Sequence, residues 1–478
     1  MKKTSYMERI GLIGLIGLIG QISPAGAQKQ WSLRECCDYA VSHNISVKQQ
    51  ENQLRQRELQ LETAKASRLP DLSAGASQNF SFGRGLTAQN TYTNTNTSST
   101  SFSIGTSVPL FTGFQIPNQI KLNKLNLEAA TQDLEKAKND IRMQVAQAYV
   151  QILYDMEMVD VARRQIDIDS MQVVRLQAMV DNGKASGAEL SQQQATLAQS
   201  RLTATQADNN MQLAILTLTQ LLELPTPDGF SVIRPNLTSE GTAVANSKLD
   251  TLHSKLYTLN STLDTLHSTL YTLNSTLPSP DAIYAEALTV KPEIQSAQIA
   301  VTAAERNINI AKAGNYPSLS LSGGMGTNYY TTSGFKSDGF GKQLKNNFSQ
   351  YIGLNLSVPI FNRYQTRNSI RSAQIDQQNQ LLQLDNTKKT LYKEIQQVYY
   401  NAIAADAKCK SSEQASRSAQ DAFTLMQAKY ENGKANITEF NESKNNYLRA
   451  ESDLVQARYE QLYQQALILF YRGKALDF

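Results

Sequence analysis

The sequence predicts a mainly α-helical fold carrying membrane-length β-strands, with the whole plan written twice in one chain. Three observations carry this reading. Ser107-Val108-Pro109-Leu110-Phe111 opens a helical pattern that ends at Asp181-Asn182-Gly183-Lys184, and 250 positions later Ser357-Val358-Pro359-Ile360-Phe361 opens a second one that ends at Glu431-Asn432-Gly433-Lys434. Ahead of each long pattern the apolar period changes from about 3.6 to 2, the mark of strands. Beyond the N-terminus no segment approaches 18 consecutive apolar residues, so residence in a membrane would have to come from strands.

The N-terminus reads as a secretory signal over residues 1–27. Lys2, Lys3 and Arg9 form its basic part, Ile10 to Ile19 its apolar part, and Ala25-Gly26-Ala27 a small-residue cleavage site. An apolar run of about ten residues is half of what a spanning helix needs. The formal charge of +4 falls to about +2 without that segment, and no basic stripe suggests a nucleic-acid partner. Cys36 and Cys37 are adjacent and Cys409 lies in the other half, so the three cysteines read as small residues on a helix face and not as a disulfide framework.

The first repeat spans 28–230. Leu33, Cys37, Ala40, Val41 and Ile45, then Leu54, Leu59, Leu61 and Ala64, predict helix from Ser32 to about Ser67, closed by Pro70. Leu72, Ala74, Ala76, Phe80 and Phe82 then alternate with Ser73, Gly75, Ser77, Asn79 and Ser81. After a Thr- and Asn-rich loop, Phe102, Ile104, Thr106, Val108 and Leu110 alternate with Ser101, Ser103, Gly105 and Ser107. Two strands of about ten residues follow, long enough to cross a bilayer when tilted. Their Ser, Gly and Asn face suits a water-filled lumen; a soluble hairpin on a core would alternate in the same way. Aromatics near the strand ends (Phe80, Phe82, Phe102, Tyr329, Tyr330, Phe348) suit interface girdles or, equally, such a core.

After Pro117 the helical pattern runs about 66 residues to Asn182, roughly 100 Å at 1.5 Å per residue. Ile141, Val145, Ala148 and Ile152 mark its seam at 4-3-4 spacing. Gly183 supplies a left-handed stop, and a shorter helix follows from about Ala188 to Leu222. The two short helices together match the long one in length, which predicts a long rod with two shorter rods stacked end to end beside it.

Residues 231–280 form a linker containing a Leu/Thr/Ser tandem repeat over 251–278. Its leucines keep heptad spacing, but Thr, Ser and Asn are weak helix formers, so a loop-like insertion is favoured over a coiled coil. The second repeat spans 281–472 and leaves a short tail, 473–478. Ala40, Val47 and Pro70 match Ala287, Ile294 and Pro317 at an offset of 247, and the offset becomes 250 from the next strand. The extra residues therefore fall in the second hairpin, where length is tolerated. The seam recurs at Leu391, Ile395, Val398 and Ala402, and a last helix runs from about Thr438 to Tyr471.

Four strands per chain cannot close a barrel, and open edges are not tolerated in hydrocarbon, so at least two chains must contribute. The helices are rich in Ala, Ser, Gln, Asn and Lys, with stripes too narrow for a filled bundle. They suit a hollow wall sealed along its seams.

Helix–strand–strand–long helix–Gly turn–helix, twice, with Val-Pro-[Leu/Ile]-Phe at each strand-to-helix junction, resembles the TolC family of outer-membrane efflux channels. The resemblance covers the mature chain except about 240–280. It implies a homotrimer in outer-membrane lipid: a 12-strand β-barrel continued by an α-helical barrel of long coiled-coil helices through the periplasm. It further implies an exit duct of a tripartite efflux or type I secretion system, docked to a periplasmic adaptor protein and an inner-membrane transporter of RND or ABC type. Pro109 and Pro359 would turn the chain from barrel into tunnel. Gly183, Lys184, Gly433 and Lys434 would be the tips that meet the adaptor.

In the family the tips form a periplasmic mouth lined by acidic side chains. Glu439 and Glu442 fall where it places a constricting acidic ring; Glu189 and Tyr430 fall where it ties neighbouring helix pairs shut. A basic partner expected two positions after Gly433 is Ala435 here, which leaves that salt bridge open, with Lys434 one position away. Ser186-x-x-Glu189 and Asn436-x-x-Glu439 also read as capping boxes, whereas Glu442 lies a turn further in. No catalytic, phosphate-binding or metal-ligating constellation is legible, and no cofactor is expected. The rival class is a secreted structural coiled-coil or adhesin-like surface protein, which leaves the paired amphipathic strands unexplained.

Overall fold

The computed structural model describes residues 30–86, 90–94, 96–234 and 277–476. The signal-like segment 1–27 and the tandem repeat as far as residue 276 lie outside the described residues.

Each repeat begins with a short helix and a longer one meeting at a sharp junction. In the first, α1 (Leu33–His43) starts at a capping box between Ser32 and Glu35, and α2 (Ile45–Ala66) follows it. The continuous helix expected from Ser32 is thus broken at Asn44, which has extended backbone (φ −59°, ψ 134°). Its side chain makes the break: Oδ1 accepts from Ser46 N at 2.9 Å and Nδ2 donates to Leu221 O at 3.1 Å. A period-3.6 stripe continues smoothly across such a one-residue break, which is why the pattern hides it. Two short strands flank this region. β1 (Gln30–Trp31) pairs in parallel with β6 (Ser231–Val232), and the Tyr149 hydroxyl lies within hydrogen-bond distance of Trp31 O (3.1 Å) and Ile233 O (2.8 Å).

The first hairpin is β2 (Asp71–Ser81) and β5 (Thr97–Thr112), with the short pair β3 (Arg84–Leu86) and β4 (Tyr92–Asn94) between them. The rod α3 (Gln115–Asp181, 67 residues) follows, about 100 Å long, then α4 (Gly187–Leu221). The second repeat has the same order: α5 (Pro280–Val290), α6 (Pro292–Ala313), β7 (Ser318–Thr332), β8 (Ser349–Ser357), the 67-residue α8 (Gln365–Glu431) and α9 (Ile437–Tyr471). Its hairpin loop carries a short helix, α7 (Phe340–Asn346). Here the helix break falls at Lys291, where the following Pro292 disfavours helical backbone.

The four long strands form one antiparallel sheet in the order β2-β5-β7-β8. Register decides what its faces are made of. Ala74 pairs Ile104, Ile104 pairs Met325, and Leu321 pairs both Val108 and Leu354, so the apolar positions of all four strands share one face. Ser73, Gly105 and Ser107, with Ser322 and Gly353, share the other. The apolar face has no core against it. Leu72, Ile104, Met325, Ile352, Leu354 and Leu356 are all exposed, as are Phe80, Phe82, Tyr330 and Phe348 near the strand ends. A soluble hairpin would have buried them.

The rods pack as staves. α3 lies between α2 with α4 on one flank and α6 with α9 on the other, while α8 packs on α5, α6 and α9 and has no counterpart of the second flank. The expected seams are buried in both long helices, with Val398 half-buried. One core gathers α1, α3, α4 and part of α9; a second gathers α5, α6, α8 and the end of α9. Cys36, Cys37 and Cys409 are free and buried. Among the described residues no helix is long and apolar enough to cross a membrane.

Candidate functional site: hairpin tips and open flanks

At the far end of the rods both turns use the same backbone device. Gly183 N donates to Val180 O and Lys184 N to Met179 O; Gly433 N donates to Tyr430 O and Lys434 N to Lys429 O. These paired bonds close each helix C-terminus, and they need left-handed backbone at the glycine, φ 70° at Gly183 and 69° at Gly433. Nothing lies near where a Cβ would sit at either position, so conformation rather than space requires glycine. Lys184 and Lys434 are exposed at the tips.

Two of the mouth candidates are engaged locally. The Glu189 carboxylate accepts from Ser186 N (3.3 Å), and Glu439 Oε2 accepts from Asn436 N (3.1 Å), each completing a capping box. Glu442 is exposed, beyond the first turn, and makes no hydrogen bond among the described residues. No hydrogen bond joins Glu189 to Tyr430 within the chain. Tyr430 is buried against Phe440, ring centroids 4.9 Å apart, and burial raises its hydroxyl pKa, with Glu189 adding to the shift and Arg175 opposing it.

Arg175 was not legible as a site residue. Its guanidinium lies 4.9 Å from the Tyr430 ring centroid, and its Nη2 donates to Glu431 O at 3.1 Å and Tyr430 O at 3.4 Å. A cation from the first long rod thus serves the carbonyl end of the second, the end a helix dipole makes negative. The position expected to hold a basic group, Ala435, instead borders the aromatic cluster of Phe423, Tyr430 and Phe440.

A turn or more above, a buried polar cluster spans both repeats. Lys444 Nζ pairs with Asp169 Oδ1, and both side chains are fully buried. Asp169 also accepts from Ser200 Oγ (2.5 Å) and Gln193 Nε2 (3.2 Å), and Asn441 Nδ2 donates to Gln193 Oε1 (3.2 Å). One signal was present in the sequence. Lys444 lies between Phe440 and Leu448 at steps of four, and Asp169 between Ala162 and Leu176 at steps of seven, so each interrupts an apolar column.

At the other end, Pro109 marks a β-bulge, where the register shifts between Pro109 and Phe111. The chain then passes through two left-handed residues, Gly113 (φ 61°) and Phe114 (φ 66°), into α3. A Cβ at Gly113 would lie 2.7 Å from Ala313 O, so this close approach needs glycine. Pro359 follows the end of β8, and Arg363 (φ 52°) with Tyr364 (φ 60°) repeats the turn.

The two repeats differ in what surrounds them. On α3, Val150 and Leu153 are 9% and 0% exposed; their counterparts 250 positions on, Tyr400 and Ile403 of α8, are 63% and 45% exposed. On the α9 side of the comparison Ala466 is buried, whereas its α4 counterpart Leu216 is exposed, with Leu213 beside it. Phe114 meets Tyr316 edge-on (6.1 Å), and all four of Phe114, Tyr316 and their counterparts Tyr364 and Leu69 are exposed. Strands β2 and β8 likewise leave their outer edges unpaired. The apolar contact made inside the chain by Val150, Leu153 and Ala466 thus has its counterpart positions, Tyr400, Ile403 and Leu216, on two separate open flanks.

The chain thus combines a four-stranded sheet with one continuous exposed apolar face, two 67-residue staves and flanks that leave apolar side chains uncovered. The model of the outer membrane efflux protein family matches residues 37–223 and 283–472, and the chain belongs to that family. The outer membrane protein TolC of Salmonella enteritidis is 24% identical over 193 residues, 40% of this chain and 39% of that protein. The pyoverdine export outer membrane protein OpmQ of Pseudomonas aeruginosa is 24% identical over 351 residues, 73% of this chain and 64% of that protein. The match thus spans about two-fifths of the TolC relative's length. Among solved structures, the outer membrane protein VceC of Vibrio cholerae has a TM-score of 0.69 at 18% identity, covering 93% of this chain and 96% of that one. The CmeC outer membrane channel of Campylobacter jejuni has a TM-score of 0.70 at 17% identity, covering 93% and 86%.

Proposed function

We propose that this chain is one subunit of a homotrimeric exit duct in a bacterial outer membrane. The duct passively conducts small molecules or polypeptides delivered by a periplasmic adaptor and an inner-membrane transporter. The carrying observation is the repeat asymmetry: Tyr400 and Ile403 on one flank, and Leu213 and Leu216 on the other, are the halves of a contact already made internally between α3 and α9. Repeating that contact between copies generates a ring. Three copies would give twelve strands, within the range of outer-membrane barrels, and the exposed apolar sheet face would meet lipid.

In this ring Pro109 and Pro359 turn the wall from barrel to tunnel, and Gly183, Lys184, Gly433 and Lys434 present the tips to the adaptor. Glu442, free of local bonds, lines the axis at the mouth, with Glu439 and Glu189 beside it. Arg175 holds the two hairpins of one subunit together through Tyr430. Symmetry would gather several carboxylates there, repelling one another and attracting cations. No residue set on the chain supplies energy, so transport is driven by the partner.

The test is extraction of the full chain in detergent, sizing of the particle, and single-channel recording in planar bilayers. A trimer with stable conductance is expected. A chain that stays soluble and monomeric without detergent overturns the reading.

A further inference from the structure

The strongest unexplained feature lies at the middle of the rods, where α6 begins and α9 ends. Lys291 is 6% exposed, and among the described residues no carboxylate lies within ion-pair distance of it. Its Nζ rests 3.9 Å from the Phe470 ring centroid and 4.5 Å from that of Tyr471. The fold does not need a charge here. At the equivalent junction of the first repeat, neutral Asn44 caps the following helix and bonds the end of α4, whereas Lys291 provides no side-chain cap at all. Burial holds the Lys291 ammonium below the ordinary lysine pKa range, against the pull of Glu293, Glu394 and Asp140. Those carboxylates line a cavity of about 390 Å³ that also touches Lys291.

A second cavity, of about 440 Å³, opens from Lys291 toward α1 and the C-terminal tail. Its charged lining is Arg34, Arg142, Lys291 and Lys474 against a single acid, Asp38. None of the four cations has an ion-pair partner among the described residues; Arg142 donates only to the neutral Asn139 amide, at 2.8 Å. One wall is fixed by Gly473 (φ 82°), which carries the tail past Val290 where a Cβ would lie 2.8 Å from Cγ1. Four cations drawn to one cleft repel one another, and one of them has already lost its water. The Asp38 carboxylate answers one of the four charges and the Phe470 ring faces Lys291, which leaves the lining net positive, so a bound anion would stabilise the arrangement.

We propose that this cleft binds a small multivalent oxyanion, its charged groups carboxylate or phosphate, held between Arg34 and Arg142 on one side and Lys291 and Lys474 on the other. The volume suits a compact molecule with two or three charged groups. Guanidinium forks donate to either group in bidentate fashion. Val290, Pro292 and Phe470 supply an apolar wall for its carbon skeleton.

The test uses the full chain in detergent, with citrate and pyrophosphate titrated separately by calorimetry against sodium chloride of matched ionic strength. Saturable binding of at least one probe is expected, and the probe that binds identifies carboxylate or phosphate as the recognised group. Lys291→Met and Lys474→Gln should each weaken that binding by about tenfold or more, the loss of a charge-assisted hydrogen bond. Lys474 is exposed, so Lys474→Gln and Arg34→Gln keep the question decidable if Lys291→Met does not fold. Absence of saturable binding by both probes overturns the proposal. So does wild-type affinity in the variants, which would leave Lys291 serving only the carboxylates of the neighbouring cavity.

Discussion

Lys444 of α9 and Asp169 of α3 form an ion pair with both side chains fully buried, in a wall whose other ion pairs among the described residues are at least partly exposed. The pair joins the two repeats near the mouth, and its positions 250 residues away hold Gln194 and Ala419. It is therefore particular to the contact inside the chain. A buried pair of this kind is expensive to break from one side only, because the remaining charge keeps its desolvation penalty.

Lys444→Met should accordingly destabilise the chain by about 3–5 kcal/mol, whereas Lys444→Met combined with Asp169→Leu should recover most of that loss. Urea denaturation of the detergent-solubilised protein measures both. Equal destabilisation in the single and double variants would show that the pair is not the source of the effect.

The open flanks make a separable prediction. Ile403→Glu or Leu213→Glu would place a charge in the contact proposed between copies and leave the internal α3–α9 contact untouched. Sizing in detergent should show loss of the trimer with helical content unchanged. Leu153→Glu, at the buried counterpart of Ile403, should instead unfold the subunit, since a charge in a core costs several kcal/mol.

At the mouth, Glu439→Gln with Glu442→Gln should lower cation selectivity and weaken block by multivalent cations added on the periplasmic side. Glu442→Gln alone should carry most of this effect, because the Glu439 carboxylate is already bonded to Asn436 N. Bilayer recordings in which block is unchanged would remove these carboxylates from the pore axis.

Lys291 predicts a pH dependence with a definite sign. Its folded pKa lies below the ordinary lysine value because of burial, so between the two values the unfolded chain holds the extra proton. Stability therefore rises with pH through that window and is lowest below the folded pKa, where the charged form is buried. Melting temperatures of wild type and Lys291→Met, compared from about pH 8 to pH 10.5 at fixed salt, should converge as pH rises.

Much of this protein could be read before its structure. The period-2 segments ending at Leu110 and Val358, the 67-residue rods, the left-handed stops at Gly183 and Gly433 and the duplication are all local or periodic signals. The breaks at Asn44 and Lys291 were hidden because a one-residue interruption leaves the apolar stripe in phase. The capping alternatives at Glu189 and Glu439 were visible as three-residue spacings, and both boxes are formed.

Sequence by itself determined the class of element at each point, since periodicity and turn chemistry are properties of neighbouring residues. Only the tertiary structure decided which elements meet. Arg175 reaches the end of α8 from 255 positions away, Lys444 finds Asp169 across 275, and Lys291 lines one cleft with three other cations. It also decided that Tyr400 and Ile403 stay exposed where Val150 and Leu153 are covered. The repeats carry nearly the same local code, but one lies inside the chain and the other at its open flank. What a side chain buries depends on that neighbour, which no local pattern contains.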